Sequence, residues 1–252
     1  VIVLPDAAPI IPLISEISSL VTEFNISMGY PLKRSSLYTL FTLIFKTQLS
    51  RKKERYYARD YLKVLQHPFV KNLKIASDST VTRILIHKLK EILTGKEQGS
   101  ITGSLFVELE DIESCNELYM LTLQTLDHMK IETSRDELEQ VLETIHEYVF
   151  IEWERIHSFE SFVKVLDRFL ELMIQKSSME HYPMNINIAN KVQELLNEFR
   201  IVSFKEEKFE QTDIFKIFEA RLSGEIVAFV GSPLKGLQIL GLFETRSLNF
   251  EN

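Results

Sequence analysis

One cysteine, Cys115, stands in 252 residues. A single thiol cannot build an internal disulfide framework or a cysteine-based zinc site, and its scarcity fits a reducing compartment. No stretch approaches the ~20 uninterrupted apolar residues that a membrane span needs. The apolar opening VIVLPDAAPIIPLISEI lacks a basic leader and is broken by Asp6 and by prolines, so it does not read as a signal peptide. Internal repeats and low-complexity tracts are also missing. Positive charge is in deficit: 29 Lys and Arg face 36 Asp and Glu, a net charge of -7. That balance gives nucleic-acid binding no overall support, although a local basic face is compatible with it.

Several chemical motifs are lacking too. A phosphate-cradling loop needs G-x-x-x-x-G-K-[ST], so that backbone amides and the lysine converge on the phosphates. Gly95-Lys96 comes nearest, but Lys90 and Glu97 stand where a glycine and a hydroxyl are required. ATP hydrolysis by this chain alone is not expected. The histidines are His67, His87, His128, His146, His157 and His181, and none forms an HExxH or comparable pair. His146 and His157 are expected on helices but eleven residues apart, and all six are expected at the surface or half-buried.

What is present is a large apolar fraction, 45% of residues, enough for one large core or two smaller ones. VIVLP is a β-branched run bounded by Pro-Asp, the pattern of a buried parallel strand. Ile10, Leu13, Ile14, Ile17, Leu20 and Val21 recur at helical spacing. FNISM then alternates like a strand and ends at Gly29-Tyr30-Pro31. From Leu37 onward the period is helical, with stripes at Leu37, Leu40, Phe41 and Ile44 and at Val81, Ile84, Leu85, Leu89 and Ile92. Ser134-Arg-Asp-Glu137 has capping-box spacing. The best stripe runs from Phe159 through Phe162, Val163, Leu166, Phe169 and Leu170 to Met173, and Ile188 to Phe199 carries the next. Breaks are expected at 77–80, 94–104 and 177–185. Six or more amphipathic helices packed as a bundle account for the middle. GEIVAFV and LQILGLF then return to strand character on either side of the turn GSPLKG.

Three clusters bear on chemistry. Glu206-Glu207-Lys208 has the E-x-K order of a metal-dependent nuclease site, but the upstream aspartate is not evident, and a solvated charge run between Phe204 and Phe209 explains it as well. LKRSSLY and QLSRKKERYYARDYLK hold the densest positive charge. Lys33, Arg34, Arg51, Lys52, Lys53, Arg55 and Arg59 lie among Tyr56, Tyr57 and Tyr61, which suits phosphate contact and base stacking. The competing reading is a solvated helix end with tyrosines against the core. Trp153 and the phenylalanine stripes read as core.

VIVLPD, NISMGYPL and LKGLQILGLFETRSLNFEN together resemble the AddB-type helicase/nuclease family, relatives of UvrD-like helicases with a C-terminal PD-(D/E)xK nuclease domain. YYARDYLKVLQHPFVKN is similar to a further segment of that family. The resemblance implies that the LPD strand and the closing G-L-x-E-T-R element belong to a RecA-like domain, the latter similar to helicase motif V. Gly236, Leu237, Gln238, Glu244, Thr245 and Arg246 occupy that element. The histidine of active relatives is missing from it, which puts motor activity in doubt.

The expectation is therefore a mostly α-helical chain with small α/β margins, a helical accessory subdomain inserted in an incomplete RecA-like domain. Residues 1–33 would open that domain, 34–220 form the helical insertion, and 221–252 return to the sheet. Strand residues at both ends lead us to expect a piece of a longer protein, and the resemblance implies a bacterial, cytoplasmic one. The resemblance implies a non-catalytic part of an ATP-dependent helicase/exonuclease of double-strand break repair and recombination, with no cofactor in this part. ATP and Mg²⁺ are implied only for the whole protein. Partners would be DNA, contacted by Lys33, Arg34 and Arg246, or a helicase-nuclease subunit, and no membrane. The alternatives are a helical interaction scaffold without a DNA role and a nuclease using Glu206 and Lys208.

Overall fold

A computed structural model describes residues 1–17, 19–21, 23–181, 183–229, 236–243 and 245, with the backbone alone at 180, 181 and 183. The chain opens with β1 (Ile2–Leu4), α1 (Ile10–Ile17), β2 (Phe24–Ile26) and β3 (Gly29–Pro31), then a 3-10 turn at Leu32–Arg34. There follow α2 (Ser36–Leu49), β4 (Tyr56–Tyr57), α3 (Ala58–Leu65), α4 (Pro68–Lys71) and α5 (Ser79–Leu93). Next come β5 (Phe106–Val107), α6 (Leu109–Glu113), α7 (Asn116–His128) and α8 (Arg135–His146). A π-turn at Glu147–Ile151 joins α8 to α9 (Glu152–Glu154), and α10 (Phe159–Lys176), α11 (Pro183–Ile201) and α12 (Gln211–Ser223) complete the helices. β6 (Ile226–Ala228) and β7 (Leu237–Gly241) close the chain's described structure.

The strands are arranged out of chain order. β7 lies between β1 and β2 and pairs with both in parallel, Ile239 facing Ile2 on one side and Ile26 on the other. β3 and β6 form a separate antiparallel pair, and β4 with β5 another. A strand that follows the whole helical region thus completes a sheet begun before it. The fold is mostly helical with small sheets, as expected.

Helix starts follow local chemistry. Ser35 accepts the Tyr38 N–H at 3.1 Å to begin α2, and Asp78 accepts the Thr80 N–H at 2.6 Å to begin α5. At α8 the expected capping box is half made. Ser134 accepts the Glu137 N–H at 3.2 Å, but the Glu137 carboxylate turns to the Ser77 N–H and the Thr133 hydroxyl. The full reciprocal box sits at α10, where Ser161 takes the position usual for Glu and pairs with Ser158.

Among the described residues two apolar cores result. The larger gathers the expected stripes of α2, α5, α8, α10 and α11 around Trp153, which is fully buried. Phe45 stacks on Phe215 with centroids 4.2 Å apart, and Phe169 and Phe162 meet the indole edge-on. The smaller core lies under the three-stranded sheet and consists of Leu4, Ile10, Ile26, Met28 and Ile239.

Three expectations are corrected. β1 is parallel but not buried: it is an edge strand in which Leu4 alone is covered and Val3 is 40% exposed. Gly29-Tyr30-Pro31 is not a break but β3, and Gly29 is needed there because a Cβ would fall 1.9 Å from the Ile226 side chain. β6 and β7 are shorter than GEIVAFV and LQILGLF, with Leu242 and Phe243 in a turn. Most of GSPLKG lies outside the described residues. Among the described residues no helix is long and apolar enough to cross a membrane.

Candidate nucleic-acid interface

Parallel strands point the carboxyl ends of β1, β7 and β2 the same way, and the chain leaves β2 there toward β3. The 3-10 turn after Pro31 then sets Lys33 and Arg34 on the surface beside the loop that follows β1. Arg34 lies 3.9 Å from the Asp6 carboxylate, and both groups are largely solvated, so the attraction is weak. Asp6 also accepts the Ala8 N–H at 2.5 Å, which fixes its loop. The Tyr30 hydroxyl donates to the Arg34 carbonyl at 2.9 Å and steadies the turn. Lys33 has no ion-pair partner among the described residues. Among the described residues, the mouth of the sheet therefore presents Lys33 and Arg34 against the exposed Asp6 carboxylate.

The motif V-like residues take up structural duties. Gly236 has a φ of +71°, and a Cβ there would fall 1.9 Å from the Glu23 carbonyl oxygen. Only glycine lets β7 start this close to β2. Leu237 donates its N–H to the same carbonyl at 3.0 Å and pairs with Phe24. The Asn25 amide donates to the Gln238 side-chain oxygen at 3.0 Å across the ladder. The Thr245 hydroxyl donates to the Leu242 carbonyl at 2.7 Å. Glu244 and Arg246 lie outside the described residues, so of the expected DNA contacts the structure places Lys33 and Arg34 together.

The second basic stretch does not join them. Lys33 and Arg34 precede α2 and Arg51 follows it, so its 14 residues separate the groups by roughly 21 Å. Arg51 is spent on Glu154, Arg55 on Glu108 at 2.7 Å, and the Lys52 ammonium lies 4.9 Å from the centre of the Phe106 ring. Tyr56 and Tyr61 are fully buried and offer no stacking face, and Tyr57 is half-buried against Phe106. Burial and the Glu154 carboxylate raise the Tyr56 pKa, so its phenol stays protonated and donates to Glu154. Here the tyrosines belong to the core, as the competing reading has it.

Sequence reasoning missed a buried polar chain. His146 is not at the surface. It is fully buried, 2.7 Å from the Tyr61 hydroxyl through Nε2 and 2.5 Å from Glu113 through Nδ1. A carboxylate can only accept, so Nδ1 carries the proton and Nε2 receives the tyrosine hydrogen. Burial lowers the His146 pKa and raises that of Tyr61, which keeps both neutral. With Tyr61 and His146 both closed to solvent, this chain ties α3, α6 and α8 together. The π-turn begins one residue later, and the Gln48 amide donates to the Phe150 carbonyl at 2.9 Å within it. A histidine eleven residues from His157 gave no signal of this, because its partners are 33 and 85 residues away. His157 itself sits in the turn after α9 instead of on a helix. His67 is also buried, and its Nδ1 accepts the Phe69 N–H at the start of α4.

Glu206 and Lys208 are exposed in the segment after α11, between Phe204 and Phe209, which both pack on Phe159. Among the described residues no three His, Cys, Asp or Glu side chains are grouped to hold a metal ion. Compared with protein-family models, curated proteins and solved structures, the chain matches none.

Proposed function

We propose that this chain is the helical accessory part, with its flanking strands, of a bacterial, cytoplasmic AddB-type helicase/exonuclease of double-strand break repair and recombination. In this reading it guides DNA or meets a partner subunit and does not itself catalyse. The flanking strands belong to a RecA-like domain, and ATP and Mg²⁺ act elsewhere in the whole protein. The observation that carries the reading is the placement of Lys33 and Arg34 at the carboxyl ends of a parallel sheet whose middle strand, β7, follows the helical region. Open parallel sheets bind ligands outside those ends, and cations beside strand ends reach a phosphate backbone.

Fluorescence anisotropy with forked DNA over a salt series tests it. Replacing Lys33 and Arg34 by Ala is expected to weaken binding and to lower the slope of log affinity against log salt by about 2, one for each phosphate no longer neutralised. An unchanged slope rejects these residues as DNA contacts. A second reading, subunit contact without DNA, is favoured by the exposed apolar residues Val3, Ile11, Leu242 and Phe243 of the sheet region. It predicts no salt-dependent binding even at low ionic strength.

A further inference from the structure

Charge is distributed unevenly along this acidic chain. Between Lys71 and Lys96 there are six Lys or Arg and two Asp or Glu, a net charge of +4 within a protein of -7. The segment is α5 with its two flanks. Its apolar stripe, Val81, Leu85, Leu89 and Ile92, is buried in the large core. The opposite face carries Arg83, His87 and Lys90, spaced i, i+4 and i+7, so they line one edge of the helix over about 10 Å. Arg83 and His87 are exposed and Lys90 half-exposed.

That edge runs into a cleft at the amino end of α5, with a volume of about 510 Å³, where Lys74 and Lys176 join Arg83. Lys74 comes from the loop before α5 and Lys176 from the end of α10, so three separate elements bring cations to one place. Neither lysine has an ion-pair partner among the described residues, and Arg83 donates only to the Asn72 amide oxygen, at 3.1 Å. Ser77, Ser79 and Gln175 supply the neutral donors of the wall. One carboxylate, Asp78, lines the cleft as well and faces Lys74 and Arg83, leaving three cations against one anion there among the described residues. Each nearby carboxylate has a hydrogen-bond or ion-pair partner. Asp78 caps Thr80, Glu137 holds the Ser77 N–H and the Thr133 hydroxyl, and Glu91 pairs with Lys88 at 2.9 Å and His87 at 3.4 Å along the side of the helix.

We infer that the exposed edge of α5 and the Lys74–Arg83–Lys176 cleft form a second surface for the phosphodiester backbone of duplex DNA. The inference rests on the DNA reading above, but on residues remote in sequence from Lys33 and Arg34. A line of about 10 Å matches roughly three phosphates of one strand, at 3.4 Å of rise each. Hydroxyl and amide donors beside Lys and Arg are the usual company of phosphate oxygens. The apolar and aromatic centre that marks a protein-binding patch is not found on this edge, which is why we assign DNA and not an acidic protein.

The test compares the wild-type chain, the K33A/R34A variant and a K74E/R83E/K90E variant, each titrated with a labelled 20-base-pair duplex and with polyglutamate. Circular dichroism checks that the exposed substitutions leave the helices intact. The inference predicts that the triple variant loses on the order of tenfold or more in duplex affinity at low salt, with a salt slope lower by about 3, while K33A/R34A keeps the part of the affinity that α5 supplies. Duplex binding untouched in the triple variant but abolished in K33A/R34A overturns the α5 surface and leaves the functional reading standing. Wild-type binding to polyglutamate and not to DNA overturns both and makes the edge an acidic-peptide site. Binding to neither overturns both as well.

Discussion

The helical region and the three-stranded sheet are stabilised very differently. Around Trp153 the helices bury fully a cluster in which Phe41, Phe150, Phe162, Phe169, Phe215 and Phe218 all lie within reach of a neighbouring ring. Among the described residues the sheet rests on five buried side chains and leaves Val3 and Ile11 about two-fifths exposed. Burial of apolar area is the main favourable term in folding, so the helical region carries its own stability. The sheet depends on backbone pairing across a join between distant parts of the chain. This contrast bears on function: the cations we assign to DNA at the sheet lie on the less stable side, where local opening is cheapest.

Damage to the larger core should be the most severe. Trp153→Ala should cost about 3–5 kcal/mol and unfold both regions together in urea. If hydrogen exchange showed the sheet still protected while the helices lost protection, the sheet would not depend on the helical region.

Gly236→Ala attacks the join instead. Its left-handed backbone costs about 1–3 kcal/mol for a non-glycine residue, and the collision with the Glu23 carbonyl adds to that. Native-state hydrogen exchange should show β2 and β7 exposed while α10 stays protected.

Tyr61→Phe leaves the buried His146 nitrogen without its donor and should cost about 1–3 kcal/mol. Urea unfolding of the variant measures it, with the loss confined to the helical region in hydrogen exchange.

The last effect is pH-dependent and absent at neutral pH. Burial lowers the His67 pKa from 6.5 to about 4, so between those values the unfolded chain binds a proton that the native chain refuses. Stability is complete above pH 6.5 and falls as the pH drops through that window, by up to about 1.4 kcal/mol per unit. His67→Asn keeps a capping side chain without the titration and should flatten that part of the profile.

The legibility of the sequence divides along the same line. The stripes at Leu37 to Ile44 and Phe159 to Met173 were readable because a helix repeats its buried face every three or four residues, and both are buried as expected. β3 was not, because Gly-Tyr-Pro signals a turn and its partner Ile226 lies nearly two hundred residues away. The tyrosines at Tyr56 and Tyr61 left two readings open, and burial decided for the core. The Tyr61–His146–Glu113 chain had no local pattern at all. The basic edge of α5 was present in composition, but periodicity drew attention to the opposite, apolar face of the same helix.

Hydrogen exchange of the chain with and without saturating forked DNA is the decisive experiment for the assignment of DNA to these two surfaces. New protection is expected in the loop after β1 and in the 28–36 segment, at the mouth of the sheet, with α5 protected from its amino end. Protection confined to other surfaces, or none at low salt, would refute the assignment.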